Sequence, residues 1–372
     1  MLLMHSLKVR MLFWRGNMAT VTNFFLGANS GGGFHNLFPQ LTADKDAYDL
    51  MILKGCPGNG KSTFMRRIGE ALEAAGAAVE YICCSGDPAS LDAVLFPELC
   101  CGVVDGTAPH VLEPVYPLAV QRYVDLSRFC DVAAAKASSE EIVRCIAEAE
   151  MANSRAGHAL MAAAQMERGM RTEAAKSLDT GKLTRRFAGI AARELRRRGG
   201  EQGTIRRRFL GGPTAEGYIW RFDSVDALCS SVYELDDSFG LAAEELEKLC
   251  VAAVGKGWDA ITCPSPAEPT RTEHLLIPGL GLGFVTSRPG MRYPGTPYRR
   301  IRVDAMTEIG NRGKLRFESK LASVLKDEAV SALREARDAR QCLESIYRPY
   351  VDFDGVEALA SVEASRLLSW MP

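Results

Sequence analysis

The chain has 372 residues, 47% hydrophobic and 24% charged, with 45 Lys and Arg against 46 Asp and Glu. That is the composition of a soluble globular chain long enough for two domains, and its near-zero net charge gives no bulk attraction to nucleic acid or an anionic membrane. The 11 cysteines include Cys83-Cys84 and Cys100-Cys101 inside apolar runs without zinc-site spacing, so they read as small buried hydrophobes of a reducing, cytoplasmic compartment.

The first 17 residues, broken by His5, Lys8, Arg10 and Arg15, contain no uninterrupted apolar core and no small-residue cleavage site. Neither a signal peptide nor a membrane span is expected, and Met18 offers an alternative start that makes 1–17 an N-terminal extension. Asn23 to Phe38 runs from an apolar stretch through Gly31-Gly32-Gly33 to an aromatic patch; lacking a lysine and a following helix signal, the triple glycine reads as a structural turn. A strand, Leu50 to Lys54, then enters Gly55-Cys56-Pro57-Gly58-Asn59-Gly60-Lys61-Ser62-Thr63, the pattern G-x-x-x-x-G-K-S. Gly55, Gly58 and Gly60 permit a tight loop whose N–H groups point at phosphate oxygens, Lys61 reaches the β- and γ-phosphates, and the Ser62 hydroxyl can ligate Mg²⁺. Phe64, Met65, Ile68, Ala71 and Leu72 have helical spacing, with Arg66 and Arg67 facing away. The nucleotide-binding residues are therefore expected to be Gly55, Pro57, Gly58, Asn59, Gly60, Lys61, Ser62 and Thr63, at a helix N-terminus.

Gly76 closes that helix and Val79 to Cys84 reads as the next strand, ending at Ser85-Gly86-Asp87-Pro88. Leu99 to Asp105 is a buried strand ending in an acid, the pattern of a Mg²⁺-associated aspartate facing a phosphate loop. The loop, Asp87 and Asp105 are expected to converge beyond the carboxyl ends of the strands. Gly106 follows Asp105, so a catalytic glutamate directly after that aspartate is missing; Asp87, where RecA-type ATPases carry the acid that orients the attacking water, is one alternative, against a plain turn residue before Pro88. His110 lies beyond the same strand end, as a γ-phosphate sensor or a hydrogen-bonded structural histidine.

From Ser138, which forms a capping box with Glu141, a proline-free run to about Ala175 reads as helix, and a second helix spans Leu183 to Arg198. The two are expected to form a helical hairpin on the sheet domain, a lid or an interaction arm. Nine arginines between Arg185 and Arg208 crowd around Gly199-Gly200. Without interleaved aromatics they read as a solvated helix end and linker rather than a nucleic-acid surface.

The second half repeats the first. Phe209-Leu210-Gly211-Gly212 echoes Phe25-Leu26-Gly27-Ala28, Ile277-Pro278-Gly279-Leu280 echoes Phe96-Pro97-Glu98-Leu99, and Gly283 to Thr286 echoes Gly102 to Asp105, at offsets of 181 to 184 residues. A near-constant offset marks a duplicated domain, each copy ending in helices, here Lys314 to Tyr347 and Gly355 to Trp370. In the repeat Leu241-Ala242-Ala243 replaces Gly60-Lys61-Ser62 and Thr286 replaces Asp105, so the second copy should not bind a nucleoside triphosphate in the usual way.

The segments FFLGANSGGGFHNLF, ILKGCPGNGKSTFMRRIG, CCSGDPASLD and FPELCCGVVDGTAPH, followed by a decayed second copy, resemble a bacterial family of tandem P-loop ATP-binding proteins, sometimes labelled ATPase or nucleotide kinase. The resemblance covers nearly the whole chain after Met18 and implies ATP binding by Gly60, Lys61, Ser62, Thr63 and Asp105. Members often keep a phosphate loop in both halves, and the family supplies no substrate. The expected fold is a duplicated α/β P-loop NTPase of RecA-like, ASCE type. It comprises an active domain at 18–200 and a degenerate one at 201–372, each with an appended helical hairpin. The expected activity is Mg²⁺-dependent ATP hydrolysis, with Lys61, Asp105 and Asp87 as catalytic residues, Ser62 and Asp105 on Mg²⁺, and an arginine supplied in trans. The alternatives are a small-molecule or nucleotide kinase and a nucleotide-gated scaffold with little hydrolysis, the partner being a protein or a metabolite.

Overall fold

The structure is a computed structural model describing residues 20–43, 47, 49–308, 310 and 312–371; the expected extension 1–17 lies outside them. In chain order the first half carries β1 (Val21–Phe24), a hairpin of β2 (Gly27–Ser30) and β3 (Gly33–Asn36), and α1 (Pro39–Ala43). There follow β4 (Asp49–Lys54), α2 (Lys61–Ala74), β5 (Val79–Cys83), β6 (Leu91–Phe96), β7 (Cys101–Asp105), β8 (Gln121–Asp125), α3 (Val132–Ala137), the long α4 (Ser139–Ala175) and α5 (Thr180–Glu194). The second half runs β9 (Ile205–Arg207), a hairpin of β10 (Gly211–Thr214) and β11 (Gly217–Trp220), α6 (Phe222–Leu228), β12 (Ser231–Asp236) and α7 (Ala243–Gly255). It ends with β13 (Ala260–Pro264), β14 (Thr272–Ile277), β15 (Leu282–Ser287), β16 (Arg299–Arg302), the long α8 (Arg312–Tyr347) and α9 (Phe353–Leu368).

The duplication is plain in the sheets. One has the order β1-β5-β6-β7-β4-β8 and the other β9-β13-β14-β15-β12-β16, position for position. Both are mixed: β6 runs antiparallel to β5 and β7, as β14 does to β13 and β15, while the remaining pairs are parallel. β4 lies between β7 and the edge strand β8, its residues are buried on both faces, and its sequence is a continuous apolar run rather than an alternating one. β6 was not visible as a separate strand in the sequence because its short apolar run merges with the strand signals on either side.

The two copies face each other. Phe25 and Phe209 exchange backbone hydrogen bonds of 2.9 and 2.8 Å. Around them Phe24, Phe38, Ile52 and Val104 of the first copy share one core with Phe222, Val225, Val232 and Val285 of the second. The buried Arg208 guanidinium pairs with the buried Glu80 carboxylate across the same boundary.

The helices depart from the expected hairpins. α4 does not fold back with α5; it runs antiparallel along α8, with Ile142 and Cys145 against Leu343, Ala156 against Ala332 and Leu333, and Ala159 and Leu160 against Ala329. Buried Ala152, Ala156, Ala159 and Ala163 recur at intervals of three and four on one face of α4, and side chains that small let the helix backbones approach closely. The helices after the long ones are then exchanged between copies. α5 buries Leu183, Phe187 and Ile190 against Tyr233, Leu235, Leu246 and Leu249 of the second copy. α9 buries Val356, Ala360, Ala364 and Leu367 against Phe64, Met65, Ile68 and Leu72 of the first. Arg366 and Arg122, both paired with Asp49 and Glu363, fasten α9 to β4 and β8. Nor does Ser138 cap α4 through its side chain; its hydroxyl lies 3.1 Å from Tyr350 Oη instead. Among the described residues no helix is long and apolar enough to cross a membrane.

The exchange predicts that a core truncation at the chain's far end destabilises the first copy. Leu367 is fully buried, so Leu367→Ala should cost about 2–5 kcal/mol in denaturant unfolding. It should also loosen hydrogen-exchange protection in β4 and α2 before that in β12 and α7; equal loss in both copies would count against a separate first-copy core.

Candidate functional site

The loop between β4 and α2 has the geometry its glycines foreshadow. Gly58 and Gly60 take left-handed φ values of 71° and 90°, which turns the chain into α2 with Gly60 as its N-cap. A Cβ at residue 55 would run into the side-chain amide of Asn59, which is fully buried and whose Nδ2 has no hydrogen-bond partner among the described residues. Lys61 lies folded over the loop, its Nζ donating to the Cys56 carbonyl at 2.9 Å and standing 3.8 Å from Asp105 Oδ2. Ser62 Oγ accepts the Leu91 N–H at 2.9 Å, which leaves its own proton and a further lone pair for other partners. Thr63 is exposed on the first turn of α2, and Pro57 is half-buried in the loop.

Asp105 ends β7 directly beside β4, in register with Leu53. Its Oδ1 accepts from the Thr107 N–H and hydroxyl at 2.9 and 2.6 Å, so Oδ2 is the oxygen turned toward Lys61. The glycine at 106 has a steric cause: a Cβ there would overlap Ile52 Cγ2. A glutamate after Asp105 would have to displace Ile52. Asp87 sits in the turn between β5 and β6, where its Oδ2 accepts the Ser90 hydroxyl at 2.8 Å and its Oδ1 the Ala89 N–H at 3.4 Å. His110 is buried, stacked on Phe38 at 4.4 Å between ring centroids, with neither ring nitrogen partnered among the described residues.

An acid the motif reading missed lies among these groups. Asp92 is the extra residue of a bulge where β6 slips against β5, and a bulge re-aims the side chain it carries. Burial pushes its carboxyl above the usual range; His110 draws it down and Asp105 pushes it up, so all three share one neighbourhood. Its signal in the sequence was an acid inside the apolar run Leu91 to Phe96. Arg340 and Glu344 were also missed, and nothing local could have revealed them. They come from α8, and a Cβ at Gly58 would stand 3.0 Å from both Glu344 Cβ and its carbonyl oxygen. Burial raises the Glu344 carboxyl, the Arg340 and Lys61 charges lower it, and Asp87 raises it. Cys56 and Cys130 touch at 3.3 Å between sulfurs, and burial pushes the Cys56 thiol up to about 12, which makes it a poor nucleophile.

The second copy fills the equivalent place with its own side chains. The Asp237 carboxylate, buried after β12, accepts the N–H groups of Leu241 and Ala242 at 2.9 and 2.8 Å, occupying the kind of N–H cradle that the glycine loop offers an anion. Thr286, at the position of Asp105, donates its N–H to His274 Nδ1 at 3.1 Å and its hydroxyl to the Glu273 carbonyl. Burial takes His274 down to about 3, so it stays neutral. Glu268, at the position of Asp87, is paired with Arg171 from α4. Among the described residues no group of three His, Cys, Asp or Glu side chains could hold a metal ion.

Comparison of the chain with models of protein families, with curated proteins and with solved structures found no match.

The Asp92 environment gives a signed prediction. A carboxyl whose value is raised in the fold gives stability that is complete below its unfolded value and is lost as pH rises through the folded value. Ionised Asp92 therefore costs stability near neutrality. Asp92→Asn should raise Tm by about 2–4 °C at pH 8, with the gap closing toward pH 4; a Tm lowered equally at both pH values would show that the carboxylate is structurally needed.

Proposed function

We propose that the first copy is a P-loop NTPase that binds Mg²⁺–ATP and hydrolyses it. The observation that carries the reading is the loop itself: two left-handed glycines leading into the N-terminus of α2, with Lys61 Nζ 3.8 Å from an aspartate at the end of the adjacent strand. The first-turn N–H groups of a helix have no carbonyl behind them and suit phosphate oxygens, and Lys61 adds a charge that can move from the Cys56 carbonyl to the β,γ-phosphates. The residues fit the metal as well. Ser62 and Asp105 offer the hydroxyl and carboxylate oxygens that Mg²⁺ takes from protein, the rest of its shell coming from phosphate and water. Bound there, Mg²⁺ would neutralise charge on the phosphates.

Asp92 is better placed than Asp87 to orient and deprotonate the attacking water. Asp87 is engaged by Ser90 and Ala89, while Asp92 is a buried acid beside Asp105 that a bulge re-aims and whose carboxyl burial raises. Glu344 faces Lys61 and Arg340, so an incoming phosphate competes with that carboxyl for both cations. The Asp237 cradle supports a second copy that binds no nucleotide, leaving one site per chain.

The test is Mg²⁺-dependent phosphate release by purified protein, with nucleotide binding measured on the same samples. Lys61→Ala should abolish both. Asp92→Asn should keep binding and lose turnover on the order of 10²-fold or more, as removal of a general base does, while Asp87→Asn should lose less. Tight binding without release by the parent protein would replace hydrolysis with the nucleotide-gated scaffold, and release only in the presence of an added metabolite would replace it with a kinase.

A further inference from the structure

α8 belongs to the second copy in sequence, yet its last turns lie on the phosphate loop of the first. Arg340 Nη1 stands 2.9 Å from where a Cβ of Gly86 would be, in the turn that follows β5, and Glu344 covers Gly58 one turn further on. Phe353, at the start of α9, and Val356 close over Gly60. The loop is thus bounded on one side by residues almost three hundred positions away.

We infer that Arg340 is the catalytic arginine of the first copy's site, delivered within the same chain by the crossing of the long helices. The inference rests on reading that site as an ATP hydrolase. Three observations carry it. Arg340 is half-buried and makes no ion pair or hydrogen bond among the described residues; Glu344, one turn away, meets its charge only at longer range, so the guanidinium donors are open to an anion. Its charge nevertheless reaches Cys84, Asp92 and Glu344, which places the guanidinium at the mouth formed by the strand ends. Finally, the arms differ at this position: counting back from the capping aspartates Asp352 and Asp179, the equivalent residue on α4 is Glu167, which is paired with Lys326. At this position the arginine occurs only over the copy that keeps its glycine loop; the arginine over the other copy, Arg171, stands one turn along and is paired with Glu268.

In the reaction, water adds to the γ-phosphorus, the bond from that phosphorus to the bridging oxygen breaks, and ADP leaves with the electron pair. The proton of the water passes to the Asp92 carboxylate and from there to solvent. The negative charge spread over the transferring oxygens is what a planar, permanently charged guanidinium stabilises. Because the arginine comes from the same chain, turnover per chain is independent of protein concentration.

The experiment compares the full-length parent protein with Arg340→Ala, Arg340→Lys and, as a control, Arg334→Ala, exposed on the same helix. It measures phosphate release, Tm, and binding of ADP alone and of ADP with fluoroaluminate, a mimic of the transferring phosphoryl group. Arg340→Ala should lower kcat on the order of 10²–10³-fold while ADP affinity stays within about threefold. It should also erase the extra affinity that fluoroaluminate confers on the parent protein. Arg340→Lys should recover little of it, since an ammonium lacks the planar fork. Arg334→Ala should behave as the parent. Parent turnover with Arg340→Ala unimpaired, or turnover that rises with protein concentration regardless of residue 340, overturns Arg340 and leaves the hydrolase reading standing. A parent protein that neither releases phosphate nor prefers ADP–fluoroaluminate overturns both.

Discussion

The close approach of two alanine-lined helices is the constraint on which the rest of the molecule turns. Ala156 and Ala159 on α4 meet Ala329 and Ala332 on α8 in antiparallel register, and nothing bulkier would let the two long helices lie so near the body of the protein. The same closeness sets the β2–β3 hairpin on α4, where a Cβ at Gly31 would overlap the backbone of Met161, and sets Glu344 on the phosphate loop. Ion pairs such as Arg155 with Glu328, 3.1 Å apart and exposed on both sides, add register but little free energy. A larger side chain in the seam would push the arms outward and carry Arg340 away from Gly86 without touching the site itself.

The two copies fill equivalent places of one architecture with different side chains. In the second, three of the equivalent positions have internal partners: Asp237 takes the loop N–H groups, Arg171 takes Glu268, and His274 takes the Thr286 N–H. In the first, the corresponding positions are in conflict. Glu344 and Asp87, two acids, stand where the second copy has Arg171 and Glu268, a complementary pair; and Asp92 makes no ion pair among the described residues, where its counterpart at the matching bulge, Glu273, is paired with Arg288.

How much of this could be read in the sequence follows from how local each signal was. The glycine loop, α2 and the strand ending at Asp105 were legible because glycine conformation, helical periodicity and apolar runs act within a dozen residues, and the near-constant offset made the duplication legible too. β6 was not, since a buried antiparallel strand of six residues looks the same as its parallel neighbours, and with it went the bulge that re-aims Asp92. The sequence also showed that no glutamate follows Asp105 but not why; the cause is Ile52, fifty-four residues earlier and one strand away. Arg340 was one of many arginines, and only its place on the other copy distinguishes it.

The exchange of helices has a cause that lies in length alone. At a rise of about 1.5 Å per residue a helix the length of α4, 37 residues, spans about 55 Å, whereas strands of five or six residues make a sheet only about 20 Å deep. A chain that leaves the first copy at Asp131 and runs that far without a break cannot return α5 to the sheet it came from. The short turn after Ala175 therefore delivers α5 to the next apolar sheet face in reach, that of the second copy. α8, of 36 residues, carries α9 back by the same geometry. Two uninterrupted helices, each too long for its own domain, thus oblige the copies to complete one another. The second arm is required whatever its own copy does, because the first copy's sheet is covered and its glycine loop is flanked by residues that only that arm brings.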